Sequence, residues 1–146
     1  MITNEVQYRA TKAHLDRFEE AIANLERQRE VPGPDRRRHE LEIAALRSQA
    51  ADLHAEANEY ERLRSGTLKS FEASSLSELS DALVKTRIAK GWTQRRLAEE
   101  LRIAEQQIQR YEATSYASAS LARLCDIAAA LGAEVREVVT LGTDAA

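Results

Sequence analysis

The sequence predicts a mostly α-helical fold, an N-terminal antiparallel hairpin with a coiled-coil-like seam followed by a compact helical bundle. Three observations predict it. Apolar residues recur at spacings of three and four through most of the 146 residues, the period of one helix face. Ala, Leu, Glu and Arg, all strong helix formers, are abundant. Only two prolines and five glycines interrupt them. The pattern divides the chain into a hairpin over 1–64, a connector over 65–76 and a bundle over 77–146.

The first helix starts at Thr3 or Asn4, either of which can cap it, and Glu5 suits the positive end of its dipole. Tyr8, Thr11, Leu15, Phe18, Ile22 and Leu25 then form a heptad stripe. Pro32, Gly33 and Pro34 stop it, and Asp35 is placed to cap the next helix. That helix carries Leu46, Leu53 and Tyr60 seven apart, with Ala50, Ala57 and Leu63 between. So short a break makes the two helices antiparallel neighbours. Two helices bury too little apolar surface to stand alone. The seam of Tyr8, Leu15, Phe18, Ile22, Leu25, Leu46, Leu53 and Tyr60 is therefore assigned to a homodimer or partner contact, with packing on its own chain as the alternative. Arg36, Arg37 and Arg38 read as a solvated helix start.

In the connector, TLKSFEA alternates apolar and polar residues, so a short strand could form near 67–72. A second, near 134–140, could pair with it, although Val135, Val138 and Val139 also have helical spacing. Ser74, Ser75 and Ser77 offer caps for the next helix, and Ser75 with Glu78 has capping-box spacing. The bundle helices read 77–89, 94–101, 105–112 and 119–131. Gly91 and Gly132 each follow a helix, where a left-handed residue is wanted. The single cysteine, Cys125, excludes an internal disulfide and is expected in the core.

Charge singles out one segment. From Lys85 to Tyr116 seven Lys and Arg face four Glu, in a chain of net charge −3. Within it Thr93 can cap the helix starting at Gln94. Leu97, Ala98 and Leu101 form a buried face, with Ala98 small enough for a close helix crossing. Arg102, Ile103 and Ala104 make a tight turn with Ile103 inward, and the following helix buries Ile108 and Tyr111. Glu105, Gln106, Gln107, Gln109 and Arg110 are left without apolar duty. Gln106, Gln109 and Arg110 fall near one outer face, and Gln and Arg suit adenine and guanine edges in the major groove. Gln94 with its neighbouring N–H groups can hold a phosphate. Arg95 and Arg96 add sequence-independent attraction.

TQRRLAEELRIAEQQIQRYE, residues 93–112, resembles the helix-turn-helix of the Cro and phage-repressor (XRE) family. Thr93, Gln94, Leu97, Ala98, Ile103, Ile108, Tyr111 and Glu112 match its pattern without gaps. SASLARLCDIAAALG resembles the family's fourth helix, so the likeness runs over about 77–139. It implies a Cro/repressor-like bundle and a sequence-specific transcription regulator of the repressor kind, binding double-stranded operator DNA. It places Gln94 on the DNA backbone and Glu105, Gln106 and Arg110 at the bases, with Gln107 and Gln109 beside them. Glu112 becomes a structural acceptor for backbone or Arg donors. Three residues depart from the pattern: Arg102 where Gly is usual, Ala104 where a Ser or Thr cap is usual, and Glu105, which repels phosphate but can accept from cytosine.

Such repressors bind palindromes as dimers. The acidic remainder would keep that dimer soluble and limit non-specific occupancy. Small proteins of this kind resemble the antitoxins of toxin–antitoxin pairs, and by that analogy the hairpin is a dimeriser or holds a toxin protein.

Other chemistry has little support. His14, His39 and His54 lack metal-ligand spacing, and no phosphate loop or nucleophile motif is present. Glu19-Glu20 and Glu99-Glu100 read as solvated faces. No enzyme activity, metal or cofactor is expected. No apolar run reaches the ~18–20 residues of a membrane span, and the N-terminus lacks a signal-like pattern, so a cytoplasmic location is expected. The competing function is a helical interaction module that keeps the fold without binding DNA.

Overall fold

The residues described by the computed structural model, 1–29, 33 and 35–141, form six helices and no strand. Pro32 and Pro34, at the expected break, and the last five residues of the chain lie outside them. Helix α1 spans Glu5–Arg29 and α2 spans Arg36–Arg64. Asn4 caps α1: its Oδ1 accepts from the Gln7 N–H at 2.9 Å. Asp35 stands before α2 with helical dihedrals and makes no side-chain cap bond. The expected cap is therefore absent, because a residue already in the helical region does not aim its carboxylate at the next turn.

Cross-helix contacts show the antiparallel order. Tyr8 stacks on Tyr60 with centroids 5.2 Å apart. Arg64 reaches Glu5 at 2.7 Å, His54 meets Glu19 at 3.3 Å, and Arg47 pairs with Glu26. Part of the seam is buried inside one chain. Leu15 and Tyr60 are buried, Tyr8, Phe18 and Leu53 pack against the same core, and Ile22, Leu25 and Leu46 are half-buried. Ile43, outside the predicted seam, is buried as well. The alternative assignment, packing on its own chain, accounts for the buried part. Leu15 and Tyr60 are not left for a partner.

The remaining helices are α3 (Leu76–Ala89), α4 (Gln94–Leu101), α5 (Glu105–Ala113) and α6 (Leu121–Leu131). Three of the four start at a serine or threonine cap. Ser75 accepts from Glu78, Thr93 from Arg96, and Ser120 from Arg123. The α6 start is thus two residues later than expected, since Ser120 can cap and Ala119 cannot. Gly132 ends α6 with φ 64°. Leu83, Val84 and Ile88 of α3 join Leu97 and Ala98 of α4, Ile108 of α5, and Ile127 and Leu131 of α6. The same cluster continues into Leu15, Ala57, Tyr60 and Leu63 of the hairpin.

Two expectations fail. Neither 67–72 nor 134–140 is a strand. Leu68 and Phe71 both pack on the core. Residues three apart cannot share one face of a strand, whose side chains alternate. Val138 and Val139 are 87 % and 94 % exposed, so the second segment has no buried face to set a register. Cys125 is exposed rather than buried. The inward stripe of α6 is Leu124, Ile127, Ala128 and Leu131, and Cys125 lies about 200° around the helix from Ile127.

Candidate nucleic-acid interface

Helices α4 and α5 meet through a three-residue turn. Arg102 takes the left-handed conformation, φ 55° and ψ 42°, and its N–H closes the last turn of α4. A non-glycine residue there costs about 1–2 kcal/mol. Ala104 occupies the cap position of α5 in extended conformation and offers no side-chain acceptor. Leu97, Ala98 and Ile108 are each no more than 2 % exposed. Ile103, Leu101 and Tyr111 pack at the edge of the same core. Their packing fixes which side of α5 faces outward.

That side carries the predicted readers. Glu105, Gln106, Gln109 and Arg110 are exposed, and Gln107 is half-buried. Gln109 donates to Glu105 at 3.4 Å, which occupies part of both groups. On α4, Arg95 and Arg96 are exposed, but each faces a glutamate one turn on, Glu99 at 3.2 Å and Glu100 at 3.3 Å. Arg96 also lies 5.3 Å from the Trp92 ring centroid. Such exposed pairs contribute roughly 0.3–0.5 kcal/mol, so a phosphate can displace them. Arg102 and Arg110 are exposed and make no ion pair among the described residues.

Gln94 is placed differently from the expectation. It is 6 % exposed, and its Nε2 donates to Glu112 Oε2 at 2.8 Å. Its Oε1 accepts from Asn4 Nδ2 at 3.3 Å. Gln94 precedes Leu97 and Ala98 by three and four residues, so it shares their inward face.

Beneath this surface lies a buried ion pair. Arg87 and Glu112 have side chains 3 % and 0 % exposed. Arg87 Nε and Nη2 donate to Glu112 Oε1 and Oε2 at 2.6 and 2.7 Å. Its Nη1 donates to the Trp92 carbonyl and Nη2 to the Thr3 carbonyl, both at 2.7 Å. The structural role expected of Glu112 is thus observed. Arg87 itself was read only as one of seven positive charges, although a signal existed. It sits four residues after Leu83 on the apolar face of α3, as Glu112 sits four after Ile108 on α5. Two opposite charges on two apolar helix faces can be buried only as a pair.

No group of three or more His, Cys, Asp or Glu among the described residues has the arrangement of a metal site. No helix among them is long and apolar enough to cross a membrane.

Residues 83–138 match the family model described as helix-turn-helix (HTH_3). The matched segment takes in the second half of α3, all of α4, α5 and α6, and the first residues that follow α6. No curated protein matches the chain, and no solved structure does.

Proposed function

We propose that this chain, whose residues 83–138 match a helix-turn-helix family model, is a sequence-specific DNA-binding transcription regulator that represses its own operon. A homodimer reads a palindromic operator, its two copies of α5 lying in successive major grooves about 34–36 Å apart. Gln106 and Arg110 make the principal base contacts. Gln107, Gln109 and Glu105 flank them. Arg95 and Arg96 leave their glutamate partners to meet phosphate. Gln94 acts by holding Glu112 in place, with at most one amide N–H left for the DNA backbone.

One observation carries this reading. Arg110 holds a free, exposed guanidinium on the outer side of a helix whose inner side is locked by Ile108. The finer proposal is an antitoxin of a toxin–antitoxin pair in the cytoplasm. In it the hairpin surface, where Ile22, Leu25 and Leu46 stay half-exposed, contacts the second copy or a toxin. A helical interaction module without DNA binding is the second reading, favoured by the inward Gln94 and by Glu105 at the start of α5.

Footprinting of the chain's own promoter region across a salt series tests the proposal, beside the double variant Gln106→Ala/Arg110→Ala. The expected result is a protected palindrome that weakens as salt rises and vanishes in the variant. Arg110→Ala alone is expected to cost about 1–3 kcal/mol of operator affinity. Absence of protection at low salt would favour the interaction module.

A further inference from the structure

Residues ahead of the first helix of a chain are commonly its least ordered. Here Ile2 and Thr3 are 4 % and 8 % exposed. Ile2 joins the same core cluster as the bundle helices. The Thr3 carbonyl accepts from Arg87 at 2.7 Å. Asn4 uses both ends of its amide, Oδ1 to cap α1 and Nδ2 to reach Gln94. Two hydrogen-bonded routes therefore lead from the start of the hairpin to one carboxylate on α5. One runs from Thr3 through Arg87 to Glu112, the other from Asn4 through Gln94 to Glu112.

Resting on the DNA-binding reading above, we propose that Ile2–Asn4 is a latch, through which the hairpin sets the position of α5 against α4 and hence the affinity for DNA. The physical reason is the burial of the shared acceptor, whose side chain is 0 % exposed. Bonds to one buried carboxylate depend on one another, so moving one of its partners rearranges the others. The hairpin is well suited to drive this. α1 is a single 25-residue helix, a rod of about 37 Å, and the Tyr8–Tyr60 stack and Glu5–Arg64 pair hold its first turns to α2. A second copy or a protein ligand that shifts the hairpin would pull on Thr3 and Asn4. Those residues are positioning groups and need not touch DNA.

The test uses the full chain and Asn4→Ser. Serine still caps α1 and adds no charge, but it is too short to reach Gln94. Three measurements are compared with the unaltered protein: the denaturant midpoint, amide hydrogen exchange across 94–113, and affinity for a labelled duplex of the promoter region at several salt concentrations. The expected result is an unchanged midpoint, faster exchange across 94–113, and an affinity lower by on the order of tenfold with the same salt slope. The double variant Asn4→Ser/Gln94→Ala is expected to lose less than the product of the two single losses, because both act along one route. Ile2→Ala, which removes the anchor instead of the bond, is expected to speed the same amides.

Unchanged exchange across 94–113 in both Asn4→Ser and Ile2→Ala would overturn the latch. So would a rise in DNA affinity, or strict additivity of the two substitutions. If the unaltered protein binds no duplex, the DNA reading fails, and the exchange data still decide the latch.

Discussion

Arg87 holds a full charge at a position only 2 % exposed. Taking such an ion out of water costs several kcal/mol. The cost is offset because its guanidinium forms four hydrogen bonds, two of them to Glu112. Tyr116 shows the opposite case. It is 3 % exposed, stacked on Tyr111 with centroids 5.6 Å apart, and its hydroxyl finds no partner among the described residues. Burial, followed by the charge of Glu112, pushes the phenol well above its ordinary range. A raised folded value means that the unfolded chain loses this proton first. The stabilisation is complete below the unfolded value of about 10 and declines as pH rises above it. Tyr116→Phe is therefore expected to leave stability at pH 7 unchanged or slightly higher. It should also make the loss of stability above pH 10 less steep, as measured by denaturant unfolding at a series of pH values.

At the scale of elements, α5 depends on its neighbours. It has nine residues, too few for a helix to persist alone. It begins without a side-chain cap, just after the strained Arg102. Ile108 and the Glu112 bonds to α3 and α4 supply what local sequence does not. Ala104→Ser would provide the missing cap. The expected gain is about 1 kcal/mol in denaturant unfolding, and no gain would mean that the serine hydroxyl does not reach the first-turn N–H groups. The other elements were largely legible. The bounds of α4 follow from Thr93 and the apolar face, whereas three serines offered a cap for α3 and only the structure selects Ser75. Neither segment that could have formed a strand does: alternation of residue types in 67–72 is not alternation of faces, and the β-branched Val138 and Val139 of 134–140 find no buried face. Leu68 and Phe71 reach the core from an irregular backbone instead.

Across the whole molecule, one apolar cluster runs from Leu15 and Tyr60 through Leu83 to Ile108 and Ile127. The hairpin and the bundle were read from sequence as separate segments, 1–64 and 77–146, and in the structure they share this core. Thermal unfolding of the full chain is expected as one transition, with circular dichroism and Trp92 fluorescence coinciding. A fragment of 65–141 lacks Ile2, Tyr60 and Leu63, and leaves Arg87 without the Thr3 carbonyl. It should melt markedly lower, and equal melting temperatures would refute a shared core.

By itself the sequence determined the helical class, the hairpin, the bounds of the helix-turn-helix and the polar set Gln106, Gln109 and Arg110. These follow from periodicity, caps and residue type, all of which act over a few neighbouring residues. Tertiary structure alone decided that Leu15 and Tyr60 of the seam are buried within one chain, that Gln94 turns inward, and that Thr3 and Asn4 dock on the helical bundle. Each of these depends on contacts between residues far apart in the chain. Asn4 and Gln94 are separated by 90 positions, and no local pattern records which distant partner satisfies a buried polar group.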